Sequence, residues 1–489
     1  VISWIKLIKN EFIKLFHKKA IYILMILTIL LIGFETFMTN INRKFNVSDE
    51  DYYQDSVNQL IQGDVSDSDE IQFLLDDKYY YDLSQLAKEF DQGRNSWQYV
   101  YLEDKVSGYI TCMNENKYLY KNTKKYEECQ KSYDKELNYV KENSWQTILK
   151  DEKAAYEKDK KELESTFESL PKGEEKNEVA KEIKILEYRL AGLDYSLNDN
   201  IEPNTSKKAK LVTNFVNQAI AYLDYNEDES TYKDRILLDE KRSVEKEYKE
   251  AKYKLDHKIY GTDNEISLIE MINYSITEPI FLVIIAVIMI AGSIMADEYN
   301  KGTIKQLLLR PCTRGQILLS KFITAVIVSI MFLLFYIASE IIIYGFITGY
   351  KELSLPIVMY DFTLKKVVLI SIWKYIGLYS LALLPFYLIL LSVAFLLGSV
   401  VGSSIVAFIV AFVTYFFGSI ASNLVTVTNV ASLKFLPMMN WDLSVYLFGG
   451  LPAFKYCNFK IALVVDIMTV LILLGLSLFL FKRKNITNQ

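Results

Sequence analysis

Three acids interrupt otherwise apolar runs: Glu35, Glu340 and Asp466. An ionisable group in such a place is expensive to bury and by default marks a pathway or relay. Counting ~1.5 Å per residue from the basic ends of the runs puts Glu35 and Glu340 in the far half of a bilayer. Asp466 falls about one to two turns inside the far end of the last run. Two readings stand: acids near water or covered by other parts of the chain, or an acidic layer along a translocation path suited to a cationic amphiphile. Cys112 and Cys129 share one charged block, where they either bridge or stand apart as small residues. His17 and His257 lie in separate segments, so no metal-ligand cluster is expected. The patterns GxSxG, HExxH and GxxxxGK[ST] do not occur. The chain is therefore expected to be no enzyme, to carry no catalytic residue, and to bind no cofactor, metal or nucleic acid itself.

The elements that must hold these residues are long apolar runs. Six reach the ~18–20 residues that cross a ~30 Å hydrocarbon core: 20–40, 277–296, 322–347, 369–397, 403–424 and 461–481. Between the first two lies a charged, Tyr-rich block, 41–275, holding 50 acidic and 35 basic residues. The remainder holds 10 acidic and 20 basic ones, so an acidic block interrupts a basic membrane body. Of those 20 basic residues, 13 fall in the leader (Lys6 to Lys19), in 297–321 and in the tail (Lys482 to Lys484). Six spans put these segments on one side, which the positive-inside rule makes cytoplasmic. Both termini are then cytoplasmic and 41–275 is extracytoplasmic. The expected fold is an all-α polytopic membrane protein, with six transmembrane helices and a mainly helical domain between spans one and two. The first run ends in GFETFMTNINRKF, without a small-residue cleavage site, and is expected to remain as a span. Residues 1–19 read as an amphipathic interfacial helix, with Lys6, Lys9, Lys14 and His17 on its polar side and Ile5, Ile8, Phe12 and Leu15 opposite. Much Lys, Ile and Tyr with little His and Pro suits an AT-rich Gram-positive bacterium, hence a bacterial plasma membrane.

Within the block, helices are expected over 117–170, 175–195, 207–224 and 229–258, after a loose acidic opening. The third carries a stripe, Leu211, Val212, Phe215, Val216, Ala219 and Ile220, that reads as core. Pro385 is expected to kink the fourth span. Gly398 and Gly402 mark either close helix approach or a tight turn.

One polar stretch stands between spans two and three: DEYNKGTIKQLLLRPCTRGQILLSK, residues 297–321. Gly302 permits a turn, Thr303 can cap the helix IKQLLLR, Pro311 stops it and Thr313 can cap the next. Leu307 and Leu308 give that short helix an apolar edge, with Lys305, Arg310 and Arg314 for charge, which suits insertion into a groove on a soluble partner. The pattern E-Y-x-x-G-T-I-x-x-L-L-x-x-P-x-x-R-x-x-I-L-L-x-K resembles the cytoplasmic loop between spans two and three of ABC-2 type transporter permeases. The six-span plan and the amphipathic leader are also similar. The resemblance covers 1–40 and 277–489. It implies that 297–321 is the coupling helix for a separate ABC ATPase, with Glu298, Gly302, Thr303, Leu307, Pro311, Arg314 and Lys321 at matching positions. Leu307, Leu308 and Arg310 are the residues expected to touch the partner. It further implies a second permease, the same or a homologous chain, and ATP with Mg on the ATPase. Residues 425–460 resemble the family's re-entrant helical pair; the alternative is an outer interfacial loop anchored by Trp441 and Tyr446. The implied activity is export of an amphipathic peptide, drug or lipid-like substrate across the bilayer. The block of ~235 residues departs from the simplest members. It leaves open a second function, a sensor or resistance module that captures an antimicrobial peptide or cell-wall precursor.

Overall fold

Hydrophobic length dictates the main elements. The computed structural model describes residues 4–41, 58, 60, 68–89, 96–203, 206–225, 229–232, 235–261, 267–277, 281–309, 312–426, 428, 430–452 and 454–484. Two units pack separately, one of Val1–Ile41 with Ile266–Gln489 and one of Asn42–Glu265.

The first unit opens with α1 (Trp4–Phe16) and α2 (Lys19–Ile41), bent by 61° where they meet. On α1 the buried positions are Leu7, Glu11 and Leu15, one i, i+4 stripe, whereas Ile5 and Ile13 are exposed. The leader thus packs on its own protein along one stripe and leaves other apolar residues uncovered.

In the second unit come α3 (Ser68–Glu89), α4 (Trp97–Tyr101), α5 (Ser107–Asn114), α6 (Thr123–Lys141), α7 (Trp145–Ser169), α8 (Glu174–Asn198), α9 (Lys207–Tyr222) and α10 (Arg235–Asp256). The helix expected over 117–170 is broken: Asn143 adopts a left-handed φ of 51° between α6 and α7. The loose acidic opening falls mostly outside the described residues. The unit holds two larger cores. Trp97, Leu102, Val106 and Ile110 meet Leu137 and Trp145 in one; Phe215, Val212 and Ala219 of the expected stripe meet Tyr248 and Leu255 in the other. Cys112 and Cys129 are bonded, joining α5 to α6 across a separation of 17 residues.

The first unit resumes with α11 (Leu268–Thr277), α12 (Phe281–Asn300), α13 (Ile304–Leu308) and α14 (Arg314–Thr348). Strands β1 (Pro356–Asp361) and β2 (Lys366–Ser371) follow, then α15 (Ile372–Val400), α16 (Ser404–Thr426) and α17 (Phe459–Arg483). The expected boundary near 275 moves to 265/266 because Leu268 and Ile272 bury in the same core as Val283 and Val287 of α12. Among the described residues, five helices, α12 and α14 to α17, are long and apolar enough to cross a membrane; the bent α1–α2 pair raises the number to as many as six. α12 is apolar around most of its circumference and buries most of it, from Val283 and Ile284 to Ile290 and Ala291, while Ile285, Met289 and Ser293 form a partly covered edge. α15 approaches it so closely that a Cβ on Gly398 would lie 2.4 Å from the Gly292 carbonyl oxygen. Gly402 has φ +78° and makes the turn into α16. The two glycines therefore divide the close approach and the turn between them. Pro385 lies inside α15 without ending it.

Two expectations need correction. The all-α fold contains an antiparallel hairpin, β1–β2, registered from Pro356↔Ser371 to Asp361↔Lys366. Its turn is set by Asp361, whose Oδ1 accepts the N–H groups of Thr363 and Leu364 at 2.8 and 3.0 Å. Within 425–460, the segment expected as a re-entrant helical pair consists of 3-10 turns, Ala431–Phe435, Pro437–Met439 and Ser444–Gly449. Gly449, at φ +76°, packs against the hairpin turn, and Phe362 N–H donates to Phe448 O at 2.9 Å.

Candidate functional site: a buried ion cluster under the 297–321 loop

The last turn of α12 carries Asp297 and Glu298, and α14 begins just past Thr313. The Thr313 hydroxyl accepts from Gln316 N–H at 3.2 Å, and Thr313 N–H donates to Gln316 Oε1 at 3.0 Å. This reciprocal box fixes where α14 starts. Two turns later it delivers Lys321, 1% exposed, into the space between α1 and α12. Three donors on its ammonium meet three acceptors: Glu11 Oε2, Glu298 Oε1 at 3.0 Å and Ile294 O at 3.3 Å. Lys14 reaches the same Glu298 oxygen at 2.9 Å, and the Thr303 hydroxyl donates to the other. At the bend between α1 and α2, Lys18 pairs with Asp297 at 2.7 Å and donates to Ser293 at 3.2 Å. Burying one ion here alone would be prohibitive; a set whose lone pairs and protons are met can be tolerated.

The cluster ties the loop to α1. A second set ties it to the last helix. Arg314 donates to the carbonyls of Lys482 and Lys484, both at 3.0 Å, at the C-terminal end of α17. A cation there satisfies orphan carbonyls and complements the helix dipole. Lys484 in turn donates to Val400 O at 2.7 Å and lies 4.0 Å over the Tyr299 ring, while Tyr299 donates to Ser399 O at 3.0 Å. Burial lowers the pKa of the Lys484 ammonium.

The structure thus brings together Glu298, Thr303 and Lys321 of the expected coupling residues and turns Arg314 to the end of α17 instead. Thr303, expected to cap the following helix, points its hydroxyl at Glu298. Gly302 has φ +66°, a left-handed turn that favours glycine. Leu307 and Leu308 lie on α13, but their side chains, and all of Arg310 and Pro311, are outside the described residues. Leu309, not singled out from sequence, is 85% exposed at the loop tip. Glu11 is a further member, and its signal in the sequence is an acid on the apolar i, i+4 stripe Leu7–Glu11–Leu15, where an unpartnered carboxylate would be costly. Lys14, read as facing lipid, turns inward to Glu298.

The three acids in the apolar runs are dispersed over three helices. Glu35 lies on α2 with its side chain outside the described residues. Glu340 is buried on α14. Asp466 is buried on α17, and neither carboxylate oxygen has a hydrogen-bond partner among the described residues.

Fold and site together define a helical chain of the multi-pass membrane type, with a polar loop anchored by buried ions at one end of the bundle. The chain belongs to the family described as "Protein of unknown function (DUF2705)", whose model matches residues 243–487. It is 26% identical over 268 residues to "Uncharacterized protein YhcI" of Bacillus subtilis (strain 168), covering 51% of this chain and 80% of that protein. No solved structure matches the chain.

Proposed function

We propose that this chain is the permease subunit of an ATP-driven exporter of the ABC-2 type. In this reading it has six spans and moves an amphipathic peptide, drug or lipid-like compound, with a separate ATPase supplying the energy. The leader, 297–321 and the tail are cytoplasmic, the 42–265 unit is extracytoplasmic, and the chain works beside a second permease, the same or homologous. ATP and Mg belong to the partner. The observation that carries the proposal is the loop itself: a bare tip at Leu309 on a base that buried ions fasten to α1, α12 and α14. A displacement applied at such a tip passes to the bundle instead of being absorbed by the loop. The Cys112–Cys129 bond supports the orientation, since disulfides persist in oxidising compartments. The basic bias of the loop supports it too.

The test is affinity purification of the tagged chain from its native membrane in mild detergent, beside the variant Lys305→Glu/Leu309→Asp. Both positions lie away from the ion cluster, so the fold should persist, which size-exclusion chromatography checks. A Walker-A ATPase recovered with the native chain and lost from the variant supports the proposal. Its absence from both samples sinks it. The separately packed 42–265 unit, with cores of its own, favours ligand capture as a second reading. Vesicle uptake with substrate-stimulated ATP hydrolysis supports export; tight binding without uptake supports capture.

A further inference from the structure

Two neighbouring cavities at the basic end of the bundle differ in chemistry. The first, ≈ 660 Å³, is rimmed by Lys14, His17, Lys18, Lys19 and Lys301. The acids that also line it are engaged: Glu298 with Lys14 and Lys321, Asp297 with Lys18, Glu11 with Lys321. Lys19 and Lys301 are exposed and stand outside those pairs. The rim therefore keeps a positive excess after its internal pairing. The second cavity, ≈ 440 Å³, is an apolar furrow walled by Ile21 and Leu24 of α2, Met289 and Ile290 of α12, and Ile405 and Phe408 of α16. The cavities share Leu15, Lys18 and Asp297, so the furrow opens directly beneath the basic rim.

A cationic mouth above an apolar slot is complementary to a molecule with an anionic head and a hydrocarbon tail. We infer that this end of the bundle binds one anionic phospholipid of the inner leaflet, headgroup at Lys19 and Lys301 and one acyl chain along the α2–α12–α16 furrow. The inference rests on the membrane orientation proposed above. Lysines near the headgroup attract its charge, and the furrow holds the acyl chain by packing, hydrocarbon against hydrocarbon, so head and tail act together. Leu15 of α1 and Lys18 at the 61° bend line both cavities, so the leader borders the furrow.

The experiment uses the full chain, extracted in mild detergent and exchanged into nanodiscs of equal parts phosphatidylglycerol and phosphatidylcholine. Native mass spectrometry then counts the lipids retained on release. Two variants accompany it: Lys19→Gln/Lys301→Gln, which removes the head contacts, and Ile405→Trp, which fills the furrow from an exposed position without altering charge. One phosphatidylglycerol retained per native chain, with retention weakened roughly tenfold or more in each variant, is the expected result. Equal retention of both lipids overturns the inference. So does loss in the lysine variant alone, which would mean diffuse surface attraction and no seated chain. A chain absent from the membrane fraction would instead overturn the membrane reading on which the inference stands, before any lipid is counted, and the labelling of Lys301→Cys from outside intact cells would overturn the orientation.

Discussion

Lys321, itself almost wholly buried, is joined to acids from two other helices. Removing only the cation leaves Glu11 and Glu298 buried with too little positive charge between them. Lys321→Met should therefore lower stability by about 3–5 kcal/mol. The triple variant Lys321→Met/Glu298→Gln/Glu11→Gln should recover part of that loss, because it removes the uncompensated charge along with its partner. Unfolding in detergent micelles, followed as a cycle, decides the matter; equal losses in single and triple variants would mean that the ions do not act as a unit. Glycines give a second residue-scale contrast within one helix. A methyl at Gly398 would meet the Gly292 carbonyl at 2.4 Å, while one at Gly377 has nothing within 4 Å. Gly377→Ala should stabilise α15 by roughly 0.5–1 kcal/mol, as alanine does in helix interiors. Gly398→Ala should destabilise by more than that, through separation of α12 from α15. Thermal unfolding of the two variants, run together, reads the difference in sign.

At the scale of elements, some of this architecture was legible in the sequence and some was not. The five long helices are, because a bilayer-length apolar run has few other solutions. The capping box at Thr313 is legible because its two partners are three residues apart. The ion cluster is hidden because Glu11 and Lys321 are 310 residues apart, and Lys14 and Glu298 284 apart. No local period joins them; only the misplaced acid on the apolar face of α1 hints at a partner. The β-hairpin is hidden for another reason. KVVLIS runs straight into the apolar α15, so the strand reads as the start of a span. In the 42–265 unit, α10 is tied to the preceding turn by Arg242 and Glu229, 2.6 Å apart. The Arg242 hydrogen bond is the main cause holding the Glu229 carboxyl below its ordinary pKa. A depressed carboxyl stabilises the fold fully above its unfolded pKa, and that contribution is lost as pH falls through the folded one. Amide protection in peptides from 235–256, taken relative to the intrinsic exchange rate at each pH, should therefore fall on acidification into the carboxylate range. Glu229→Gln should show less of this change; an identical acid response in both chains would rule the pair out as its source.

For the whole molecule, solvent and charge divide along the same line. α16 and α17 leave most of their apolar surface uncovered, with Ile405, Phe416 and Phe417 all exposed, a surface suited to hydrocarbon. The 42–265 unit holds its cores among charged helices suited to water. The orientation proposed for the two can be read by labelling. In intact cells a membrane-impermeant maleimide should modify Lys158→Cys, on α7, and should reach Lys301→Cys, within the 297–321 loop, only after permeabilisation. The reverse pattern would invert the chain and remove the ATPase from reach of the loop.

The distance between Glu11 and Lys321 along the chain also has a meaning in time. A ribosome adding about 5–20 residues each second needs roughly 15–60 s to travel the 310 residues that separate them. During that interval α1 has been made but its counter-ion has not. The leader must wait elsewhere, and its composition offers a resting place: exposed Ile5 and Ile13 for the lipid surface, Lys6 and Lys9 for the headgroups. The ion cluster that holds α1 can therefore close only after α14 has been made, and the base of the loop is fixed no earlier.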